Sequence, residues 1–370
     1  MKKPKFKRYT RRQLWFYTKR AIYILIAWVI ISNLLFFYEF LTLYSNGILS
    51  SSYDLQQSFT ANLIVAITAG VLGGTVTVNL MDRWLRNNAF WKALLYITAT
   101  YVVAALIVST LGALYYYSQE LGLPFYHNEV LMEFRSFFGT WLFIKNFVVW
   151  LFIVVGTLIV LMVNEKYGPG VFPDYLLGRY FRPKHERRIF MFADIKNATG
   201  IAEELGPKKY FNFLKDFFRD IAPAIVQSRG EVYQYVGDEI VISWKMKHGL
   251  KSGNTIRCFY NMKRMLRYRR KRYLDRYGFF PEFKVGIHCG NVMVGEIGKI
   301  KREIAFSGDV LNTTSRIQEL CKVYHVDILA SDTFGDIAYK LPKGVSKRSM
   351  GDETLRGKTV ETGLVTYVQE

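Results

Sequence analysis

The chain has 370 residues, with 50 Lys and Arg against 30 Asp and Glu, a formal charge of +20 at pH 7. Hydrophobic residues make up 51% of it, and so apolar a polycation reads as a membrane protein whose neighbours are anionic lipid or nucleotide phosphate before it reads as a nucleic-acid binder. Three cysteines, Cys258, Cys289 and Cys321, fall in the C-terminal half without CxxC spacing, which excludes a disulfide framework or a cysteine metal site.

Residues 1–20 form a basic segment, from Lys2 and Lys3 to Lys19 and Arg20. Four apolar stretches follow, at residues 21–44, 59–81, 93–117 and 138–163. Each is long enough to cross about 30 Å of hydrocarbon, so residues 21–163 are expected to form a four-helix transmembrane domain. The first has no small-residue cleavage site after it and is expected to be retained. Arg83, Arg86 and Lys92 lie in the middle connection, whereas the other two hold only Arg135 beside Asp54, Glu120, Glu129 and Glu133. The positive-inside rule then places the N-terminus, the middle connection and everything past residue 163 in the cytoplasm of a multi-pass cell-membrane protein.

Inside the spans, Ala66, Gly70 and Gly74 repeat every four residues. Such a face serves close packing within one bundle or dimerisation between bundles. Glu39 and Lys145 are charges within apolar segments. Isolated charges there are costly, so the two are expected to pair or to line a cavity. The connection 118–137 is expected to be an outer loop. Residues 164–186, with Gly168-Pro169-Gly170, Pro173 and Pro183, end the fourth span and form a linker, either a passive spacer or a rigid coupling element.

From residue 187 to 370 the pattern is that of a mixed α/β domain. An apolar strand over 188–194 precedes a helix over 208–228, two strands over 231–244 that turn at Gly237-Asp238, and a basic helix over 255–277. A hairpin over 283–297 is expected to turn near Gly290-Asn291, before a helix over 309–323 and strands near 327–331 and 364–368. The order βαββαβ fits a ferredoxin-like sheet covered by helices. The basic helix carries Lys263, Arg264, Arg267, Arg269, Arg270, Lys271, Arg272 and Arg276. It reads as a solvated face first and an anionic-headgroup contact second, with no nucleic-acid partner expected.

Fold does not give function, so the site is argued from its own residues. Asp194 and Asp238 each end an apolar strand. In a βαβ arrangement the two strands lie side by side, and the carboxylates can meet around one or two Mg²⁺ ions. On spacing alone, turn and cap roles serve them equally well.

The residues around them are more specific. Phe192-Ala193-Asp194-Ile195, Tyr235-Val236-Gly237-Asp238-Glu239, Val285-Gly286-Ile287-His288-Cys289-Gly290 and Ser307-Gly308-Asp309-Val310-Leu311-Asn312-Thr313-Thr314-Ser315-Arg316 follow in this order. The series closely resembles the class III adenylate/guanylate cyclase catalytic domain, over residues 186–370.

The resemblance implies two Mg²⁺ ions, with Mn²⁺ as a substitute, bound by Asp194, Asp238 and the Ile195 carbonyl. It implies in-line attack of the ribose 3′-oxygen on the α-phosphorus, releasing pyrophosphate. Asn312 and Arg316 would orient the ribose and neutralise the α-phosphate; they are i and i+4 on one helix face. Leu355-Arg356-Gly357-Lys358 matches the family's basic turn, which gives Lys358 the β- and γ-phosphates, with Arg356 as the alternative.

Each site in this family lies between two catalytic domains, so the chain is expected to act as a homodimer. Asp194 and Asp238 of one subunit would work with Asn312, Arg316 and Lys358 of the other. At the two base-reading positions the family's adenylate cyclases carry Lys and Asp or Thr, and its guanylate cyclases Glu and Cys. Here Gln234 and Ala305 stand there. A glutamine amide donates and accepts, and alanine offers no polar contact. ATP is the expected substrate by analogy with similar four-span adenylate cyclases. GTP, or a weakly active or inactive nucleotide-binding module, is the alternative.

Overall fold

Each of the four apolar runs forms a helix in the structure, a computed structural model that describes residues 11–49, 53–80, 90–137, 139–167, 178–300 and 302–369. The cations before Arg11, Arg83 and Arg86 of the middle connection, and linker residues 168–177 lie outside the described residues. The chain divides into two compact units, Met1–Val163 and Asn164–Glu370.

In the first unit the helices are α1 (Arg11–Ser45), α2 (Leu55–Leu80), α3 (Phe90–Leu121), α4 (Asn128–Phe137) and α5 (Trp141–Tyr167). Within them Ala21–Ser45, Leu55–Thr75, Thr98–Leu121 and Phe143–Leu161 are long and apolar enough to span a membrane. The connection expected as a loop instead holds α4. Glu129 in its first turn and Arg135 in its last complement the helix dipole, and Val130 is buried.

The small-residue face packs inside the bundle. A Cβ added to Gly70 would lie 3.0 Å from Leu25 Cα, and one on Gly74 2.8 Å from the Ala21 carbonyl, so these glycines let α1 and α2 touch backbone to backbone. Trp28 of α1 is buried at the centre of the unit, donates to Thr157 Oγ1 at 2.9 Å and packs on the Trp150 and Tyr101 rings. The two isolated charges do pair: Lys145 Nζ donates to Glu39 Oε1, tying α5 to α1.

The second unit runs β1 (Lys184–Ile195), α6 (Ala198–Gln227), β2 (Glu231–Val236), β3 (Glu239–Lys245), α7 (Met246–Leu250), α8 (Asn254–Tyr268), α9 (Arg270–Tyr277), β4 (Phe283–Ile297), β5 (Glu303–Ser307), α10 (Asp309–Leu320), β6 (Ile328–Ser331), α11 (Asp332–Ile337), β7 (Val345–Glu353) and β8 (Thr362–Gln369). Among the described residues the strands form one eight-stranded sheet in the order β2-β3-β1-β4-β6-β8-β7, with β5 paired to β4. β1 is central and antiparallel to both β3 and β4, while β6 lies parallel to β4.

Side-chain alternation gives β1 two distinct faces. Ile189, Met191, Ala193 and Ile195 join the main core with Phe213, Phe217 and Ile221 of α6 and Phe259 and Met262 of α8. Phe190 and Phe192 face the other way, packing with Val241, Val292 and Val310 of α10. By the same alternation Asp194 belongs to the α10 face. So do Glu239 of β3 and Lys284, Gly286 and Gly290 of β4.

The hairpin expected over 283–297 is corrected by this geometry. β4 is one continuous 15-residue strand, with Gly290 opposite Arg188 and Asn291 opposite Arg187 on β1. The glycines mark close helix approach and not a turn. A Cβ on Gly286 would lie 2.6 Å from the Thr314 carbonyl of α10, and one on Gly290 2.7 Å from Val310 Cγ2. The chain reverses after Ile297, into β5, which the sequence reading missed along with β7.

The basic helix is also two helices, α8 and α9, and much of its charge is structural. Asp216 of α6, 4% exposed at its side chain, accepts from Arg276 at 2.8 Å and Tyr277 at 2.9 Å. Asp220 accepts from Arg272 and from Tyr273 at 3.1 Å. Lys263 pairs with Asp327 at 2.6 Å. These three cations, still partly solvated, thus have structural partners as well, and the buried Asp216 and Asp220 need theirs.

Gly286→Ala is expected to destabilise the second unit by about 2–3 kcal/mol, since α10 backbone must move. Gly290→Ala, where only the Val310 side chain must yield, should cost about 1 kcal/mol. Denaturant midpoints of the two variants check the difference, and equal losses would contradict the close-approach reading.

Candidate active site

Asp194 is the second-last residue of β1. The antiparallel registers set it opposite Glu239 on β3 and Lys284 on β4, and directly opposed residues share a face. The β2–β3 turn supplies Asp238: Val236 pairs with Glu239, leaving Gly237 and Asp238 as the two turn residues. Gly237 has φ +61°, which a two-residue hairpin turn requires and glycine adopts without strain. The turn thereby fixes the second carboxyl beside the first.

The Asp238 carboxyl lies beside that of Asp194. Burial, then the Asp194 side chain and its charge, push Asp238 up to about 6. Burial, then the charges of Asp194 and Asp238, push Glu239 up to about 7. Lys284, with Nζ 3.5 Å from Asp194 Oδ2, partly offsets this crowding. Tyr210 of α6 is raised by burial and then by the same two aspartates. On the α10 side, Gln318 Nε2 donates to Asp194 Oδ2 at 3.0 Å.

Two neighbouring carboxyls, one of them pushed up by burial and by the other, are a donor set whose crowding a divalent cation would relieve. Among the described residues no group of three or more His, Cys, Asp and Glu side chains forms a preformed metal cage. Two carboxyls are compatible with a cation such as Mg²⁺, which binds through one or two carboxylates and otherwise through water and phosphate. Ile195, buried in the main core, follows as the last residue of β1.

A second cluster forms on the far side of α10. Asn312 is exposed and Arg316 half-buried one turn later. Gly357 comes against Arg316, its Cβ position 3.5 Å from Nη2. The neighbouring Lys358 pairs with Asp309 at 2.8 Å, at the start of α10. Arg316 and Lys358 are thus brought to one end of α10, with Asn312 one turn before Arg316. At 100° per residue, Arg316 and Gln318 point about 200° apart around α10. His288, on the same face of β4, contacts Ser331 Oγ at 2.7 Å; burial, then the charge of Lys358, lower it to about 4, so it is neutral at pH 7.

Gln234 lies exposed on β2, just after a bulge, and Ala305 half-buried on β5 opposite Gly295. Each is one residue from a contact that joins those strands: the Tyr233 and Phe306 rings lie 4.9 Å apart, and Phe306 N donates to the Tyr233 hydroxyl at 3.3 Å.

Sequence reasoning missed Glu239, Lys284 and Gln318. A signal existed for the last: it is a polar residue on the buried stripe of α10 with Val310, Thr313, Thr314 and Ile317.

The raised acids carry a sign. Since the folded-state value of Asp238 is above its ordinary 3.8, its stabilising contribution is complete below that value and is lost as pH rises through about 6. Asp238→Asn mimics the protonated form. In chelator its melting midpoint should therefore gain on wild type as pH rises from 4.5 to 7.5, and added Mg²⁺ should close the gap by raising wild type. A gain independent of pH would contradict the raised Asp238 carboxyl.

Among curated relatives, the chain is 31% identical over 201 residues to adenylate cyclase 2 of Rhizobium meliloti (strain 1021), covering 54% of each protein. It is 26% identical over 183 residues to adenylate cyclase 1 of the same organism, covering 48% of this chain and 27% of that one. The chain thus spans about half the length of the first and less of the second. A crystal structure of an adenylyl cyclase from P. aeruginosa superposes with a TM-score of 0.46 at 16% identity, over 51% of this chain and 97% of that one. The family model described as the adenylate and guanylate cyclase catalytic domain matches residues 182–368, half of the chain, which holds the whole of the geometry above, and the chain belongs to that family.

Proposed function

We propose that the protein is a membrane-bound nucleotidyl cyclase that converts ATP to 3′,5′-cyclic AMP and pyrophosphate and works as a homodimer. The observation that carries this reading is the split itself. Asp194 and Asp238 lie on the side of α10 that Gln318 reaches, whereas Arg316 and Lys358, with Asn312 one turn before Arg316, belong to its other side. Two copies related by a two-fold axis bring each half of one to the other half of its mate.

In this reading Asp194, Asp238 and the Ile195 carbonyl hold Mg²⁺, or Mn²⁺ in its place. When bound, the metal supplies Lewis-acid polarisation of the ribose 3′-hydroxyl and the phosphate oxygens. The 3′-oxygen forms its bond to the α-phosphorus as its proton departs, and the bond to the bridging oxygen of the β-phosphate breaks, releasing pyrophosphate. Arg316 faces charge building on the α-phosphate, a role that a fixed guanidinium suits. Asn312 orients the ribose, and Lys358 exchanges Asp309 for the β- and γ-phosphates, with Arg356 the alternative. Gln234 and Ala305 stand at the base. Because the Gln234 amide both donates and accepts, GTP is the second substrate to test. The basic flanks of the spans support a cytoplasmic N-terminus and catalytic half.

The purified full-length protein, given ATP and GTP separately with Mg²⁺ or Mn²⁺, is expected to form cyclic AMP from ATP. Asp194→Ala should lower that rate by at least about 100-fold, as expected for loss of a metal contribution of several kcal/mol. Metal-dependent nucleotide binding with no cyclic product from either nucleotide would instead identify a binding module without turnover.

A further inference from the structure

We infer that Gln318 is a positioning residue for the Asp194 carboxylate, a role that rests on the reading of Asp194 as a metal ligand. Gln318 is buried in α10, yet its side chain ends in an amide. A buried amide without a partner is costly, and this one spends its N–H on Asp194 Oδ2, 3.0 Å away. Lys284 approaches the same oxygen at 3.5 Å, a longer contact from a flexible chain. The shorter and more confined restraint on the carboxylate comes from α10.

The chemistry of the amide suits the task. A neutral donor fixes the orientation of the carboxylate without cancelling the negative charge that draws a cation. A lysine or arginine in its place would hold Asp194 but also neutralise it. The reach of Gln318 depends on Gly286: its own Cβ lies 2.6 Å from where a Cβ at 286 would stand. The glycine brings the helix down, and the helix delivers the amide. Partners of this kind, which hold a ligating carboxylate without touching the metal, are typically worth 10–100-fold in metal affinity.

The test is a Mn²⁺ titration of the full-length protein, read by the electron paramagnetic resonance signal of the free ion. Wild type, Asp194→Ala, Gln318→Met and Gln318→Asn are compared. Met keeps the volume and removes the donor, and Asn keeps the donor but falls one methylene short. Melting midpoints are measured alongside; a variant that does not fold like wild type is set aside, and the other decides.

If the proposal holds, wild type binds Mn²⁺, Asp194→Ala loses that binding, and both Gln318 variants weaken it by 10–100-fold with unchanged midpoints. Binding lost in Asp194→Ala but within twofold of wild type in the Gln318 variants would overturn the positioning role and leave the proposed function standing. Binding that is the same in wild type and Asp194→Ala would overturn both.

Discussion

The approach of α10 to β4 is the contact on which the rest of the catalytic half depends. Two residues without side chains, Gly286 and Gly290, lie four apart in sequence on one face of the strand, beneath Thr314, Gln318 and Val310 of the helix. Any Cβ at the first would press on helix backbone. With the helix lowered, the Phe190–Val292–Val310 cluster closes beneath it and Ile317 joins a third apolar cluster with Leu329 and Leu364. Burying such side chains contributes roughly 1.5–3 kcal/mol each. The same descent brings Gln318 to Asp194 and leaves Asn312 and Arg316 on the outer side.

In the proposed reading, one helix then serves two chemistries, one on each side. Its inner side touches the carboxylates, where Asp194, Asp238 and Glu239 crowd around Lys284 and two of them are held above the ordinary carboxylate range. Its outer side gathers Arg316 and Lys358, the latter kept in place by Asp309. A surplus of acid on one side and of base on the other is self-complementary across a two-fold axis. In the proposed reading, substrate phosphate would supply the negative charge that the outer cluster lacks, and a divalent cation the positive charge that the inner one lacks.

Much of this was legible in the sequence because the relevant constraints are local. An acid at the end of an apolar strand, a glycine in a two-residue turn and an i, i+4 pair on a helix are set by neighbouring residues, and Asp194, Asp238, Asn312 and Arg316 stand where those rules put them. The cost of isolated charge in an apolar segment likewise foretold the Glu39–Lys145 pair. The failures share the opposite property. Gly290-Asn291 looks like a turn along the chain, and only a helix 20 residues later explains the glycine. Arg272 and Arg276 look like surface charge alone until α6 presents Asp216 and Asp220 as their partners. Lys284 and Gln318 gain a role only from strand register and from a contact 124 residues distant in sequence. Local chemistry shows in a pattern of residues; tertiary proximity does not.

The central claim is that each working site takes its carboxylates from one copy and its Arg316 cluster from another. The most direct measurement mixes two full-length variants, Asp194→Ala and Arg316→Ala, each inactive alone, and follows cyclic nucleotide formation. Random pairing should restore about a quarter of wild-type activity, because half of the dimers then carry one intact site of two. A mixture as inactive as either variant alone, with the two chains shown to associate, would contradict the account.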